Sequence, residues 1–214
     1  VLATRNPSSG PQFSSDSSIE FALEGEILPG AGRARSPIMP NAMQVEALEA
    51  IDHVRDSGER RAVVISATGT GKTILSALDV RAFNPNRMLF VVHREQILDA
   101  AITAYQQVLG APASEFGKFV GPQRDLDRKH VFATIQSISR PENLAKLNPG
   151  HFDYVLIDEV HRAGADSYKR LIDWISPAFL LGLTATPERT DGFNVFELFD
   201  FNVPYEIRLQ AALE

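Results

Sequence analysis

Cysteine is absent from the 214 residues. That excludes disulfide frameworks and thiolate metal sites, and it fits a reducing compartment. Apolar runs of about 18 residues, the length that crosses a bilayer, are missing as well. Neither a membrane span nor a membrane partner is expected, and a cytoplasmic location is. Basic excess is the third absence: net charge is −6 and the isoelectric point about 5.4. Modules dedicated to nucleic acid are usually basic. Any contact with such a polymer must therefore be local or shared with another domain. The start, Val1-Leu2-Ala3-Thr4, has no initiator Met and no apolar leader core. It reads as the start of a piece from a longer protein.

What is present is a globular composition, 44% hydrophobic and 22% charged, in a length that suits one α/β domain plus a tail. Residues 1–37 stand apart. Serines such as Ser8, Ser9, Ser14 and Ser15 mix with Pro7, Pro11, Pro29, Gly25 and Gly30. With little apolar periodicity, such a stretch cannot bury enough surface to offset its ordering entropy. A linker or poorly ordered extension is expected, with two short packed strands as the alternative. From about residue 41 a regular alternation begins. Val45, Leu48, Ile51 and Val54 recur near helical spacing. Apolar runs at 62–67, 88–92, 131–135, 154–158 and 180–185 read as strands, with helices at 73–83, through Ile97–Val108, and at 165–175. Runs that are apolar throughout suit strands buried on both faces. The expected fold is α/β, a central, mostly parallel sheet with helices on both faces, and ligands bind such sheets at the carboxyl ends of the strands.

At the end of the first run stands Ser66-Ala67-Thr68-Gly69-Thr70-Gly71-Lys72-Thr73. Strand before and helix after are the context of a phosphate-binding loop. Gly69 and Gly71 let the backbone curl so that its N–H groups converge on phosphate oxygens, and the helix start adds a positive dipole end. Lys72 can reach the terminal phosphates, and the Thr73 hydroxyl can ligate Mg²⁺. The strict pattern GxxxxGKT asks for glycine where Ser66 stands. Downstream, the run Tyr154–Ile157 ends in Asp158 and Glu159. Asp158 is placed to hold Mg²⁺ through its waters, and Glu159 to orient or deprotonate an attacking water.

ATGTGKT at 67–73, Asp158-Glu159-Val160-His161 and Thr184-Ala185-Thr186-Pro187 together resemble motifs I, II and III of superfamily 2 helicases. The second is similar to the DEAH variant. The run from Leu181 to Gly192 is similar to helicases grouped with type III restriction-enzyme motor subunits. The resemblance covers roughly residues 38–214. It implies a RecA-like ATP-binding domain over that span, with ATP and Mg²⁺ as cofactors. It places Lys72, Asp158, Glu159 and His161 in catalysis, Thr73 and Asp158 on the metal, and residues 68–73 on the nucleotide. Gln44 sits where the family has a glutamine that reads the adenine edge, although the Arg and aromatic that often precede it are replaced by Asn41-Ala42-Met43; an ordinary helix-start glutamine is the other reading. Phe90–Gln96 looks like the motif that touches the nucleic-acid backbone, which makes Arg94 a phosphate ligand or a solvated helix-start charge. Thr134, Gln136 and Ser137 resemble a neighbouring backbone-contacting motif, with strand capping as the alternative. Thr184 and Thr186 would bond across to motif II, through His161.

The family motor has two RecA-like domains, and the second, which supplies arginine fingers, is not recognisable in these 214 residues. The expected function is therefore the ATP-binding domain of a DNA helicase or translocase, with RNA left open as the polymer and slow hydrolysis by the fragment alone. One alternative is a duplex translocase within a restriction or repair complex, favoured if a nuclease domain lies upstream. Another is a nucleotide-dependent switch without motor activity, against which the intact pair of Lys72 and Glu159 argues. The aromatic run 193–201 is expected to close the core or form an edge strand, or else to pack on the second motor domain.

Overall fold

The computed structural model describes residues 37–67, 69–160, 165–185 and 195–207. The expected linker at 1–37 lies outside them but for Pro37. In chain order come α1 (Ala42–Asp56), β1 (Arg61–Ser66), α2 (Lys72–Phe83), β2 (Met88–Val92), α3 (Gln96–Leu109), β3 (Phe116–Phe119) and β4 (His130–Thr134). There follow two single-turn helices, α4 (Ile135–Ile138) and α5 (Pro141–Leu144), then β5 (Tyr154–Asp158), α6 (Ala165–Trp174), β6 (Phe179–Thr184) and β7 (Glu206–Ile207). The strands form one sheet in the order β3-β4-β2-β5-β6-β1-β7. Every pairing between them is parallel. Among the described residues no helix is long and apolar enough to cross a membrane.

The continuous apolar runs have a simple physical origin. Successive side chains of a strand point to opposite faces, and here each face meets its own core. Ala62 and Val64 of β1, Phe90 of β2, Leu156 of β5 and Leu181 of β6 pack with Ala47, Leu75 and Tyr105 from α1, α2 and α3. Val63, Leu89, Val155 and Leu180, one position along, pack with Tyr168, Leu171 and Ile172 of α6. A strand apolar on both sides shows no alternation.

One buried carboxylate ties several elements together. Asp79 of α2 is fully buried. It accepts hydrogen bonds from Arg55 Nη1 (3.0 Å) and Nη2 (2.7 Å) at the end of α1, and from the Tyr154 hydroxyl at the start of β5. The Arg55 guanidinium also lies 4.8 Å from the ring centre of Phe179, the first residue of β6.

Two strands have no counterpart among the expected elements. β3 is four residues long and contains Gly117, where an added Cβ would lie 2.6 Å from Arg128 Cγ and 2.7 Å from Asp125 Cβ. β7 is a two-residue edge. The expected strand at 131–135 starts one residue earlier and stops at Thr134, since Ile135 opens α4. Of the aromatic run, residues 195–201 are described, and Val195 and Phe199 reach the core, as one reading had it. Val195–Phe199 forms a 3-10 turn with Val195 and Phe199 fully buried. The Phe199 ring lies over Gly182 of β6 so closely that a Cβ there would meet ring atoms at 2.4 and 2.8 Å.

Two outcomes follow from this packing. Gly182→Ala should destabilise the fold by about 1–3 kcal/mol, because the Phe199 ring is enclosed and cannot retreat; an unchanged thermal midpoint would refute that enclosure. The second concerns His130, nearly buried at the start of β4 with the Phe116 ring at 5.0 Å. Burial, helped by the Lys129 charge, pushes its imidazole down from 6.5 to about 4. An unfolded chain binds that proton near pH 6.5 and the folded chain only near 4, so His130 removes stability as pH falls through that window. Asp158 works in the opposite sense, its carboxyl being pushed up to about 6 by burial, so the difference from a variant carries the test. Between pH 6.5 and 4, His130→Gln should lose about 1–3 kcal/mol less than wild type. Thermal melts across that range check it, and parallel curves would refute it.

Candidate functional site

The glycines of the loop between β1 and α2 are there for backbone reasons. Gly69 has φ 90° and Gly71 φ 81°, a left-handed region that side chains strain to enter. At Gly71 an added Cβ would also come within 3.2 Å of Gln44 Nε2. Ser66, by contrast, is the last residue of β1 and extended, so its departure from glycine carries no strain. It is fully buried and bonds the Thr70 hydroxyl, which donates to Ala67 O at 2.8 Å. Lys72 Nζ donates to Ser66 O at 3.0 Å and Ala67 O at 3.4 Å, so the ammonium is held at the loop. Thr73 stands half-buried in the first turn of α2. Thr68 lies outside the described residues.

β6 separates the loop strand β1 from β5. Ile65 pairs with Thr184 and Asp158 with Leu183, so the tips of all three strands lie abreast. Asp158 is 6% exposed and its Oδ1 accepts the Glu159 N–H at 2.9 Å. Burial pushes its carboxyl up to about 6; the Lys72 charge opposes that shift and the Glu159 charge adds to it. The chain turns at Glu159, whose φ is 53°, and the Val160 N–H donates to Leu183 O at 3.3 Å. Thr184 is fully buried at the tip of β6. His161 and Thr186 lie outside the described residues, and so does the bonding path expected through them.

Gln44 is brought to the loop while also capping a helix. Its Oε1 accepts the Asn41 N–H at 3.1 Å, and Asn41 Oδ1 accepts the Gln44 N–H at 2.9 Å. This reciprocal box fixes the start of α1, and the Gln44 side chain, 6% exposed, lies against Gly71. The two readings of Gln44 are geometrically compatible. Asn41 was legible as the Asn-x-x-Gln signature of such a box.

The other candidates gather beyond β5. Arg94 is exposed just before α3, and its carbonyl accepts the Ile97 N–H at 3.2 Å. Gln136 Nε2 bonds His93 Nδ1 at 2.9 Å, and the Thr134 hydroxyl donates to Ser137 Oγ at 2.9 Å. His93, Arg94, Ile97 and Glu159 line one cleft of about 190 Å³. Sequence reasoning assigned no role to His93 and did not place Arg94 beside Glu159, because residues so far apart in the chain carry no local signal of contact.

Comparison with known proteins agrees with this arrangement. The family model described as "Type III restriction enzyme, res subunit" matches residues 37–189. The type I restriction enzyme EcoAI endonuclease subunit of Escherichia coli is 29% identical over 82% of this chain and 22% of its own length. A putative mitochondrial ATP-dependent helicase, irc3 of Schizosaccharomyces pombe, is 31% identical over 70% of this chain and 26% of its own. The chain thus spans about a fifth to a quarter of these relatives. Among solved structures, a nuclease-deletion mutant of the type ISP restriction-modification enzyme LlaGI with a DNA substrate mimic superposes with a TM-score of 0.65. It is 20% identical over 82% of this chain and 20% of that one. A RecA-like sheet with its glycine loop and acidic pair at strand tips one strand apart, matched by that family model over most of the chain, makes this protein a member of the type III restriction enzyme Res-subunit family, within the superfamily 2 helicases.

Proposed function

We propose that residues 38–214 are the first motor domain of an ATP-dependent DNA translocase or helicase, with 1–37 as a linker into it. The observation that carries this reading is the placement of Lys72 and the Asp158–Glu159 pair at strand tips one strand apart, with Arg94 and Gln136 on the next tips along. Lys72 already bonds carbonyl oxygens at the loop, and phosphate oxygens replace them when nucleotide enters. Gln44, fixed by Asn41 and lying against Gly71, is positioned to meet the base. Glu159 orients the attacking water and takes its proton.

Thr73 and Asp158 would hold Mg²⁺. Among the described residues no group of three or more His, Cys, Asp or Glu side chains could cage a metal ion. One buried carboxylate and one hydroxyl, completed by waters and phosphates, are the hard oxygen donors that Mg²⁺ takes. When bound, Mg²⁺ neutralises charge on the phosphate oxygens. The raised carboxyl of Asp158 fits this role, since a buried carboxylate gains most from a cation beside it.

A second RecA-like domain supplies the arginine that stabilises the transition state. Such a residue is worth roughly 10³–10⁵ in rate. DNA is favoured as the polymer because the restriction relative acts within an endonuclease and the LlaGI structure carries a DNA mimic. The restriction-enzyme relative supports, as a second reading, a duplex DNA translocase within a restriction or repair complex.

The 214-residue chain should bind Mg·ATP but hydrolyse it at a small fraction of the rate of the full-length polypeptide, and nucleic acid should not rescue it; brisk polymer-stimulated turnover by the fragment would overturn the two-domain reading. In the full-length polypeptide, DNA should stimulate ATP hydrolysis. Glu159→Gln should cut kcat by roughly 10²–10⁴-fold with nucleotide affinity retained, whereas Lys72→Ala should weaken nucleotide binding itself. Steady-state rates with single-stranded DNA, duplex DNA and RNA, with and without EDTA, separate these cases. Stimulation by duplex alone would select the translocase, and a rate indifferent to every polymer would sink the motor.

A further inference from the structure

In α2 a serine stands where the surroundings are apolar. Its neighbours Leu75, Ala77 and Leu78 are core residues, and Ser76 itself is fully buried. A hydroxyl shut away from water costs free energy unless its hydrogen-bonding capacity is met. Here it is met on both sides. Ser76 Oγ donates to the Thr73 carbonyl at 3.0 Å and accepts the Tyr105 hydroxyl of α3 at 2.9 Å. The directions are fixed, because a carbonyl can only accept. The one hydroxyl proton of Ser76 goes to Thr73, and that of Tyr105 goes to Ser76.

Tyr105 is held firmly enough to serve as an anchor. It is fully buried, and its ring meets Phe90 of β2 at 5.5 Å and Phe132 of β4 at 5.2 Å, edge to face in both cases. Burial pushes its phenol far above the ordinary range, against the opposing effect of the Ser76 bond, and the Asp158 charge adds to the rise. The hydroxyl therefore keeps its proton and remains a donor. A serine bonded back to a carbonyl of its own helix bends that helix slightly, so a fixed donor on its other side decides where the turn settles. The turn so held begins with Lys72 and Thr73. Two apolar side chains of the same shape would fill this space at little cost in stability, so what the bonded pair adds is location.

We propose that Tyr105 is a positioning residue for the nucleotide site: through Ser76 its hydroxyl sets the first turn of α2, and with it the Thr73 side chain that would hold Mg²⁺. Tyr105 and Ser76 are both closed off from solvent and act only through that turn. This rests on the motor reading above, in which the turn receives Mg·ATP.

The test uses the full-length polypeptide as wild type, Tyr105→Phe, Ser76→Ala and the double variant. Tyr105→Phe keeps the ring and deletes only the bond. Binding of a non-hydrolysable ATP analogue is measured by calorimetry over a series of Mg²⁺ concentrations, and amide hydrogen exchange along α2 is followed without nucleotide. The Mg²⁺ needed for half-maximal binding should rise roughly two- to tenfold in Tyr105→Phe, the range of one neutral hydrogen bond, and exchange in the first turns of α2 should quicken. The double variant should shift no further than Ser76→Ala, since both substitutions break one chain of bonds. Phe152→Leu, in the core on the other face of the sheet, should lower the melting temperature without moving the Mg²⁺ requirement. A requirement unchanged in Tyr105→Phe, or moved as far by Phe152→Leu, would reduce the pair to core packing and overturn the positioning; so would shifts that add in the double variant. A wild type that fails to bind the analogue at any Mg²⁺ concentration would overturn the motor reading itself, whatever the variants do.

Discussion

The buried carboxylate of Asp79 is the contact on which the geometry of the site depends. Through Arg55 it holds the end of α1, whose first turn carries Gln44 against the loop. Through its own helix it holds α2, which starts with Lys72 and Thr73. Through the Tyr154 hydroxyl it holds β5, whose far tip is Asp158. Arg55 then reaches the ring of Phe179, where β6 begins. Four elements are thus pinned at the end of the sheet remote from the chemistry, and each presents its functional residue at the other end. A buried ion pair of this kind adds little net stability. Removing one partner, however, leaves a charge uncompensated and costs about 3–5 kcal/mol, so its value is geometric.

At the other end, the polar groups are organised by neighbours within the same loop. Ser66, Thr70 and Ala67 bond one another, and Lys72 closes on the same backbone. Asp158 is held by its own successor, and that successor's neighbour is held by β6. The acidic pair is consequently attached to β6, the strand that lies between the tips of β1 and β5.

Much of this was legible in the chain because the signals are local. A glycine loop between strand and helix, and two acids after an apolar run, need only a few consecutive residues. Strands buried on both faces announce themselves by lack of alternation, and five of the seven were readable for that reason. β3 was not, since a four-residue edge strand containing Gly117 and Lys118 has neither length nor pattern. Nor was the role of Gly182, which is set by Phe199, a residue of a different segment. That Arg94 and Glu159 line one cleft depends on β2 lying next to β5, and strand order is a property of the whole chain. Ser66 illustrates a milder gap: the expected glycine is replaceable because the backbone there is extended, which only coordinates reveal.

The pairing of β1 has a consequence for how the chain is made. The strand that leads into the phosphate loop has two partners, β6 and β7, and both come from the last third of the sequence. During synthesis β2, β3 and β4 can assemble as they emerge, whereas β1 must wait, both its edges unpaired, until residues 179–184 and 206–207 arrive. Non-local closure of this kind is slow and exposes aggregation-prone surface. In a nascent or prematurely terminated chain the loop after β1 accordingly has no paired strand beneath it, and a well-seated glycine loop becomes a mark that this domain has been completed.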